Sequence, residues 1–394
     1  MQLSETIKLY LTQEQRSLVV ATMNEYIRVV NSLVSLATSG TSIRKYTSKT
    51  VESGLPSALE AETIRNAKSI VAKYEKELAK SKRLAKRKGK EVKEPRVPVL
   101  KRPCCYVNNQ NWKINGDNIE FPVRENDKTR RISVKSSITE RQKNLINGSK
   151  LGTLRIVYKG RKIVAQVVYE DADAEPVESD VVMGVDLGIK CPAVSYTSNG
   201  KVKFYGNGRK NKFIRRRFNS LRKMLQKAKR LKTLKRMNDK EQRIMRDIDH
   251  KTSRNIVNEA IVRNVSTIKL ERLENIRSTT RTSRKNNHSL HTWSFYRLMQ
   301  YIAYKAKRVG ITVEFVNPAY TSQTCPKCGR VHHAKDRAYV CSCGYRVHRD
   351  LLGAINICNS TEIVGVGNGR RSAQETTRSV LRLGNGIPAP CATS

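Results

Sequence analysis

YTSQTCPKCGRVHHAKDRAYVCSCGYRVHRDLLGAINI, residues 320–357, is the stretch whose reading decides the fold. Two cysteine pairs, Cys325/Cys328 and Cys341/Cys343, bracket a short basic segment. Four thiolates arriving from two turns are what a tetrahedral structural zinc site requires. Gly329 and Gly344 directly follow the pairs, where a knuckle turn needs a permissive backbone. The second pair has one spacer residue where zinc ribbons commonly have two. A strained second knuckle therefore stays open, with His332, His333 or His348 as a substitute ligand. So does the plainer reading of four coincidentally buried cysteines. Seven residues beyond Cys343, Asp350 opens an apolar helical pattern. A metal-bound knuckle beside an acid predicts a zinc module set just ahead of a catalytic carboxylate, provided partner acids lie upstream.

Two such acids are found. VVMGVDLGI (181–189) is an apolar run of buried-strand character that carries Asp186, and STIKLERL (266–273) puts Glu271 near the end of a later strand. A strand acid, a second strand-end acid and a third opening a late helix match the carboxylate layout of RNase H-like nucleases. In-line cleavage of a phosphodiester uses two divalent ions about 4 Å apart. Magnesium takes hard oxygen ligands and keeps several waters, so a few carboxylates suffice. Asp186 then bridges both ions, with Glu271 and Asp350 each completing a side. Each acid also has a plainer reading: Asp186 as a turn residue before Leu187 and Gly188, Glu271 as a salt-bridge partner, Asp350 as a helix N-cap. An acid inside the run at 181–189 resists that reading, because burying an unpaired carboxylate is costly. Cys104, Cys105, Cys191, Cys358 and Cys391 lack ligand spacing and read as ordinary residues.

The charge balance names the substrate class. Lys and Arg number 77 against 34 Asp and Glu, a net charge of +43. Such an excess repels itself unless a polyanion neutralises it, and nucleic acid is the usual one, with an acidic membrane surface as the plain competitor. No run of about 18 apolar residues and no leader-type segment occurs, which predicts a cytoplasmic rather than membrane-spanning or secreted chain. The nine cysteines favour reduced metal ligands over a disulfide framework.

Upstream, TIKLYL (6–11) alternates like a strand, and Thr12 with Gln15 reads as a capping box opening a helix to about residue 37. A second helix, roughly 57–84, runs into a basic cluster that includes Lys82, Arg83, Lys86 and Arg87. From 97 to 170 the texture is strands: RISV (131–134), and TLRIVY (153–158) with IVAQVVY (163–169) as a hairpin. This predicts a small β-rich domain with two helices inserted after its first strand, ending at the acidic segment 170–180. Residues 209–236 hold fourteen Lys/Arg and no acid, yet Ile214, Phe218, Leu221 and Leu225 keep helical spacing. One face of that helix is expected to pack on the protein. The other, with Arg215, Arg216, Arg217, Arg222 and Lys223, is expected to meet phosphates. A helix at 241–263, a mobile polar loop at 277–292, a helix at 293–310 and a strand at 312–316 follow. A weakly ordered tail closes the chain.

Taken together, GVDLGI (184–189), HKTSRNIVNEA (250–260), IKLERLENI (268–276), WSFYRLMQYIAYKAKRVGI (293–311), AYTSQTCPKCG (319–329) and RDLLGAINI (349–357) resemble the TnpB proteins of insertion sequences, relatives of the type V CRISPR effectors. The resemblance covers about 180 to 360 in motif order and spacing; the N-terminal half matches in outline. It implies a multidomain α/β protein with an RNase H-like RuvC nuclease domain at 181–319 and 344–360. The zinc ribbon would be a target-loading insert at 320–343. A β-barrel wedge domain at 1–11 and 95–180 would carry a helical recognition lobe at 12–94, and 361–394 would be a flexible basic tail. Asp186, Glu271 and Asp350 match the family's catalytic, magnesium-binding positions; Cys325, Cys328, Cys341 and Cys343 match its zinc ligands. The implied activity is RNA-guided DNA cleavage. A monomer would bind a guide RNA from the transposon end, recognise a short motif beside the target, open an R-loop and cut both strands at one site. Guided recognition leaves sequence reading to base pairing, so the protein mainly needs basic channels that recognise backbone shape. Three rivals stand beside it: a compact type V CRISPR effector, separable by genomic context; a nuclease-inactive repressor, which would lack the acids; and a strand-transfer transposase, whose nucleophile or acid spacing is not seen.

Overall fold

The computed structural model describes residues 2–364 apart from 52, 90, 127, 238, 274–292 and 335. The expected mobile loop at 277–292 and the tail from 365 onward lie outside the described residues. The chain divides into two compact units, Met1–Asp173 and Ala174–Ser394.

In the first unit, β1 (Gln2–Tyr10) leads into α1 (Gln13–Thr38) through the expected capping box. Gln15 N donates to Thr12 Oγ1 and Thr12 N to Gln15 Oε1, both at 3.2 Å. After α2 (Ser57–Lys88) come β2 (Cys104–Val107), β3 (Lys113–Asn115), β4 (Asn118–Glu125), β5 (Lys128–Ser136), α3 (Glu140–Ile146), β6 (Lys150–Lys159) and β7 (Lys162–Glu170). The hairpin read at 153–169 is β6–β7, tightened to a two-residue turn because Lys159 pairs with Lys162. All seven strands form one antiparallel sheet in the order β2-β6-β7-β1-β5-β4-β3. Strand β1 joins its halves, pairing β7 through Lys8 and β5 at Leu9 and Tyr10. The expected β-barrel is a half-barrel: β2 and β3, four and three residues long, end the sheet without pairing each other. Helix α1 packs on this sheet instead, sharing a core of Val19, Met23, Tyr26, Phe121 and Leu154. Tyr26 donates to the Glu62 carbonyl of α2 at 3.0 Å.

The second unit is built on β8 (Val182–Asp186), β9 (Ala193–Thr197), β10 (Val202–Tyr205), β11 (Thr267–Glu271) and β12 (Thr312–Val316), ordered β10-β9-β8-β11-β12. The first three run antiparallel; β8, β11 and β12 run parallel. Parallel neighbours need crossovers. Between β8 and β11 the chain contains α4 (Gly208–Lys227), α5 (Leu231–Met237) and α6 (Lys240–Val262); between β11 and β12 it contains α7 (Phe295–Lys307). The stretch read as one helix from 209 is two. The chain turns at Lys229, φ +51°, where Arg230 N closes on the Leu225 carbonyl at 2.9 Å. Lys227, Lys229, Arg230 and Lys232 crowd like charges at that break.

Side chains alternate across the five-stranded sheet. Met183, Val185, Ile268 and Leu270 join a core with Ile256 and Val257 of α6 and Leu298 and Ile302 of α7. The other face meets α8 (Arg349–Asn359), entered from the short hairpin of β13 (Ala338–Val340) and β14 (Arg346–His348). Gly184 sits where α8 crosses: a Cβ there would run into the Ala354 carbonyl and the Cys358 backbone.

Candidate functional site

The four cysteines of the opening stretch converge. Cys325 and Cys343 sulfurs lie 3.6 Å apart, Cys328 and Cys341 3.5 Å, and all four within 4.8 Å of one another. Disulfides need about 2.05 Å. A tetrahedron with Zn–S bonds of about 2.3 Å has edges of about 3.8 Å, so the set suits a structural zinc. The Cys343 backbone N–H pulls the Cys341 thiol down to about 6, and burial pushes Cys325 up to about 12. The short second knuckle closes without substitution: Gly344 N donates to the Cys341 carbonyl at 3.0 Å, and Cys341 N to the Tyr345 carbonyl at 2.9 Å. None of the three histidines is in the cluster. His348 Nδ1 instead accepts from Asp350 N at 3.2 Å, which makes His348, rather than Asp350, the N-cap of α8.

The acids meet on the α8 face of the sheet. Asp186 ends β8 and Glu271 ends β11; the register Val185 to Leu270 puts them side by side. Asp350, in the first turn of α8, comes from above the strands. Burial drives the Asp186 carboxyl well above the usual range, and the charges of Glu271 and then Asp350 add to this. Burial also raises Glu271, partly offset by the Thr321 hydroxyl that donates to its Oε1. Gly353 lets α8 approach, since a Cβ there would stand 3.1 Å from the Asp186 carboxylate. Among the described residues, the cysteines are the one group of three or more candidate ligands within 4.8 Å. The three carboxylates are hard oxygen donors, the ligand type that magnesium takes.

Arg337, Thr321 and Asn356 were not singled out from the sequence. Arg337 Nη1 donates to both Asp350 oxygens at 2.6 Å. Asn356 Nδ2 donates to the Thr321 and Thr324 carbonyls at 2.6 and 2.8 Å, tying α8 to the chain entering the knuckle. Arg337 lies in the basic segment between the cysteine pairs, where no periodicity marks it; its position there was the only signal.

The basic residues separate into two groups. Lys82, Arg83, Lys86 and Arg87 lie exposed on the last turns of α2, and Arg216, Arg217 and Lys223 lie exposed on α4. Arg215 and Arg222 are half-buried and both pair with Glu241 of α6, so they join helices rather than stand free. The segment 250–260 also proves to be helix docking. Lys305 of α7 donates to Ser253 Oγ at 2.6 Å and to the His250 carbonyl at 2.7 Å, and burial lowers it to about 8. Next to it, Arg297 donates to the buried Asp249 at 2.7 Å.

Two family models match: "Probable transposase" (OrfB_IS605) at residues 165–277 and "Cas12f1-like, TNB domain" at 295–357. A TnpB-like protein of Methanocaldococcus jannaschii is 35% identical over 157 residues, 39% of this chain and 56% of that one. The CRISPR-associated endodeoxyribonuclease Cas12f1 of Sulfoacidibacillus thermotolerans is 30% identical over 194 residues, 45% of this chain and 44% of that one. The chain thus spans about half the length of the curated relatives it matches. Among solved structures, Cas12f1 in a Cas12f1–sgRNA–target DNA complex superposes with a TM-score of 0.56 at 15% identity, covering 91% of this chain and 99% of that one. The mini-RNA-guided endonuclease CRISPR-Cas phi3 gives 0.53 at 12%, covering 91% and 92%. These likenesses show a mixed α/β fold with a RuvC region, a TNB cysteine cluster and a half-barrel wedge sheet.

Proposed function

We propose that this chain, which belongs to the OrfB_IS605/TnpB-like family related to the Cas12f type V effectors, is an RNA-guided, metal-dependent DNA endonuclease. The observation that carries the reading is the convergence of Asp186, Glu271 and Asp350, whose charges face one another on a crowded, largely buried surface. Carboxylates held together at such a cost are a demand for cations. Asp186 would hold both magnesium ions, with Glu271 and Asp350 each completing a side. When bound, the ions supply an activated water and steady the leaving oxygen. Thr321 fixes one Glu271 oxygen. Arg337 orients Asp350 and presents a guanidinium where phosphate charge would gather. The zinc knuckle does no chemistry in this scheme; it positions Arg337 and the start of α8.

The proposed division is a wedge at 1–11 and 95–180, a recognition lobe at 12–94, a nuclease domain at 181–319 and 344–360, and a ribbon insert at 320–343. Exposed Lys82, Arg83, Lys86, Arg87, Arg216, Arg217 and Lys223 would hold phosphates of guide RNA and target DNA. The test is to purify the protein from cells expressing its locus, sequence the RNA that comes with it, and challenge matched plasmid in magnesium. A discrete RNA and a double-strand break are expected; absence of any discrete RNA would sink the guided reading. A second reading, a compact CRISPR effector, is favoured by the likeness to Cas12f1. The same RNA separates the two, since a repeat-derived guide would replace a transposon-end transcript.

A further inference from the structure

The row of paired residues that carries the acids extends past them. Asp186 pairs with Val194 on β9, and Val194 pairs with Phe204 on the edge strand β10. Residues directly opposite each other present their side chains to the same face. Lys203 and Tyr205 turn to the α6 side, where Lys203 pairs with Glu259 and Tyr205 enters the core. Phe204 therefore shares the α8 face with Asp186. Two strand spacings separate them by about 10 Å, the reach of a nucleotide or two along an extended strand.

Phe204 is 49% exposed, while Val194 beside it is 1% exposed. Its ring and the exposed His348 ring stand nearly perpendicular, centroids 5.4 Å apart at 84°. His348 in turn caps the helix that bears Asp350. Arg349 and Arg337 are near enough for their charges to pull on Asp186, so the surroundings suit a phosphate backbone. Single exposed apolar residues are commonplace. An exposed aromatic in register with an acid cluster that has cations near it, and braced by the cap of the third acid's helix, is a more specific arrangement.

We propose that Phe204, set against His348, is a stacking platform for one base of the single strand whose phosphate lies at the acids; this rests on the nuclease reading above. Every base has a π-face, so stacking holds a strand without choosing its sequence, as an enzyme guided by base pairing requires. Phe204 is a positioning residue: it would set which phosphate stands at Asp186 and take no part in bond breaking.

The test uses the protein with its co-purified RNA and a single-stranded DNA complementary to that RNA. After the cut is mapped, one abasic nucleotide is moved position by position across it. For Phe204→Ala the KM should rise about tenfold at nearly constant kcat. Phe204→Leu should behave like Phe204→Ala, and Phe204→Trp like the parent. One abasic position should penalise the parent and leave Phe204→Ala unaffected. Rescue by leucine, or an equal abasic penalty in parent and Phe204→Ala, would overturn the platform. If the parent binds the strand without cutting it, the nuclease reading fails. The platform is then judged by the same series scored as binding: a penalty that vanishes in Phe204→Ala supports it, and one that persists overturns it.

Discussion

In the seven-stranded sheet the side chains turned to the core are apolar, Ile119, Phe121, Val134, Leu154, Ile156 and Val167 among them. Buried polar groups such as Glu62 and Thr22 are matched there: Glu62 by Arg65 at 2.6 Å, and Thr22 Oγ1 by the Arg124 N–H at 2.9 Å. The five-stranded sheet follows the same rule on its α6–α7 face and departs from it on the other. There Lys269 is matched, donating to the Ser360 carbonyl at 2.7 Å. Asp186 is instead crowded by Glu271 and Asp350, and the charges of Arg349 and Arg337 offset this only in part. Desolvating a charge is tolerable when the fold supplies its complement. Where the fold supplies more of the same sign, the complement has to come from outside. That contrast marks one sheet as scaffold and the other as site.

The sharpest way to break the contrast is to remove the central charge. Asp186→Asn should lower plasmid cleavage by about a thousandfold or more while leaving zinc content and RNA binding unchanged. The same variant should melt slightly higher than the parent in magnesium-free buffer, since it relieves repulsion. Cutting that survives would make the acids ordinary structure. Next in size, Cys341→Ser should abolish stoichiometric zinc on elemental analysis and cost cleavage tenfold or more, with secondary structure of the first unit intact. Arg337→Lys keeps the charge but replaces the planar guanidinium, whose Nη1 serves both Asp350 oxygens, with a shorter ammonium. A loss of about tenfold in kcat is expected, and an unchanged kcat would show that the pairing with Asp350 has no bearing on the reaction.

Glycines sharpen the comparison further. Gly184→Ala forces α8 off its sheet and should cost about 2–4 kcal/mol in thermal or denaturant unfolding. Gly152→Ala in the first sheet meets Val168 less closely, its side chain at 3.1 and 3.3 Å and its carbonyl at 3.5 Å, and should cost less, about 1 kcal/mol. The smallest effect is on pH. Burial raises both Asp186 and Glu271, so the folded state binds more protons than the unfolded one. Magnesium-free, zinc-loaded protein should thus lose stability as pH climbs from the ordinary carboxylate range, about 4, through the raised values. Added magnesium should restore it. Melting temperatures at pH 5.5 and 8 with and without magnesium decide this, and Asp186→Asn should flatten the difference.

The residues that were legible in the sequence share a property. Asp186 interrupts an apolar run, Glu271 ends a strand pattern, Asp350 opens a helical one, and the cysteines keep a ligand spacing, so pattern alone brings them forward. Thr12 with Gln15 announced α1 for the same reason, a local hydrogen-bond geometry written in adjacent residues. Arg337 and Thr321 stand in irregular segments, and their importance arises from contacts with Asp350 and Glu271 that no spacing encodes. That the expected β-barrel is a half-barrel is not legible, since alternation reveals strands but not whether the first and last of them meet. The ion pairs that Arg215 and Arg222 make with Glu241 are not legible in α4, because their partner lies on another helix.

Strand β14 ends at His348 and α8 begins at Arg349, with no residue between. The third acid therefore sits at the far end of the segment 317–348, which the cysteine cluster cinches. A loop of that length pays closure entropy before Asp350 can reach the strands, and a metal clip removes much of it. Metal loading should thus set the order of assembly. In zinc-starved cells, newly made chains would complete the sheet and leave Asp350 undelivered, so zinc supply would govern how much of the protein ever becomes competent.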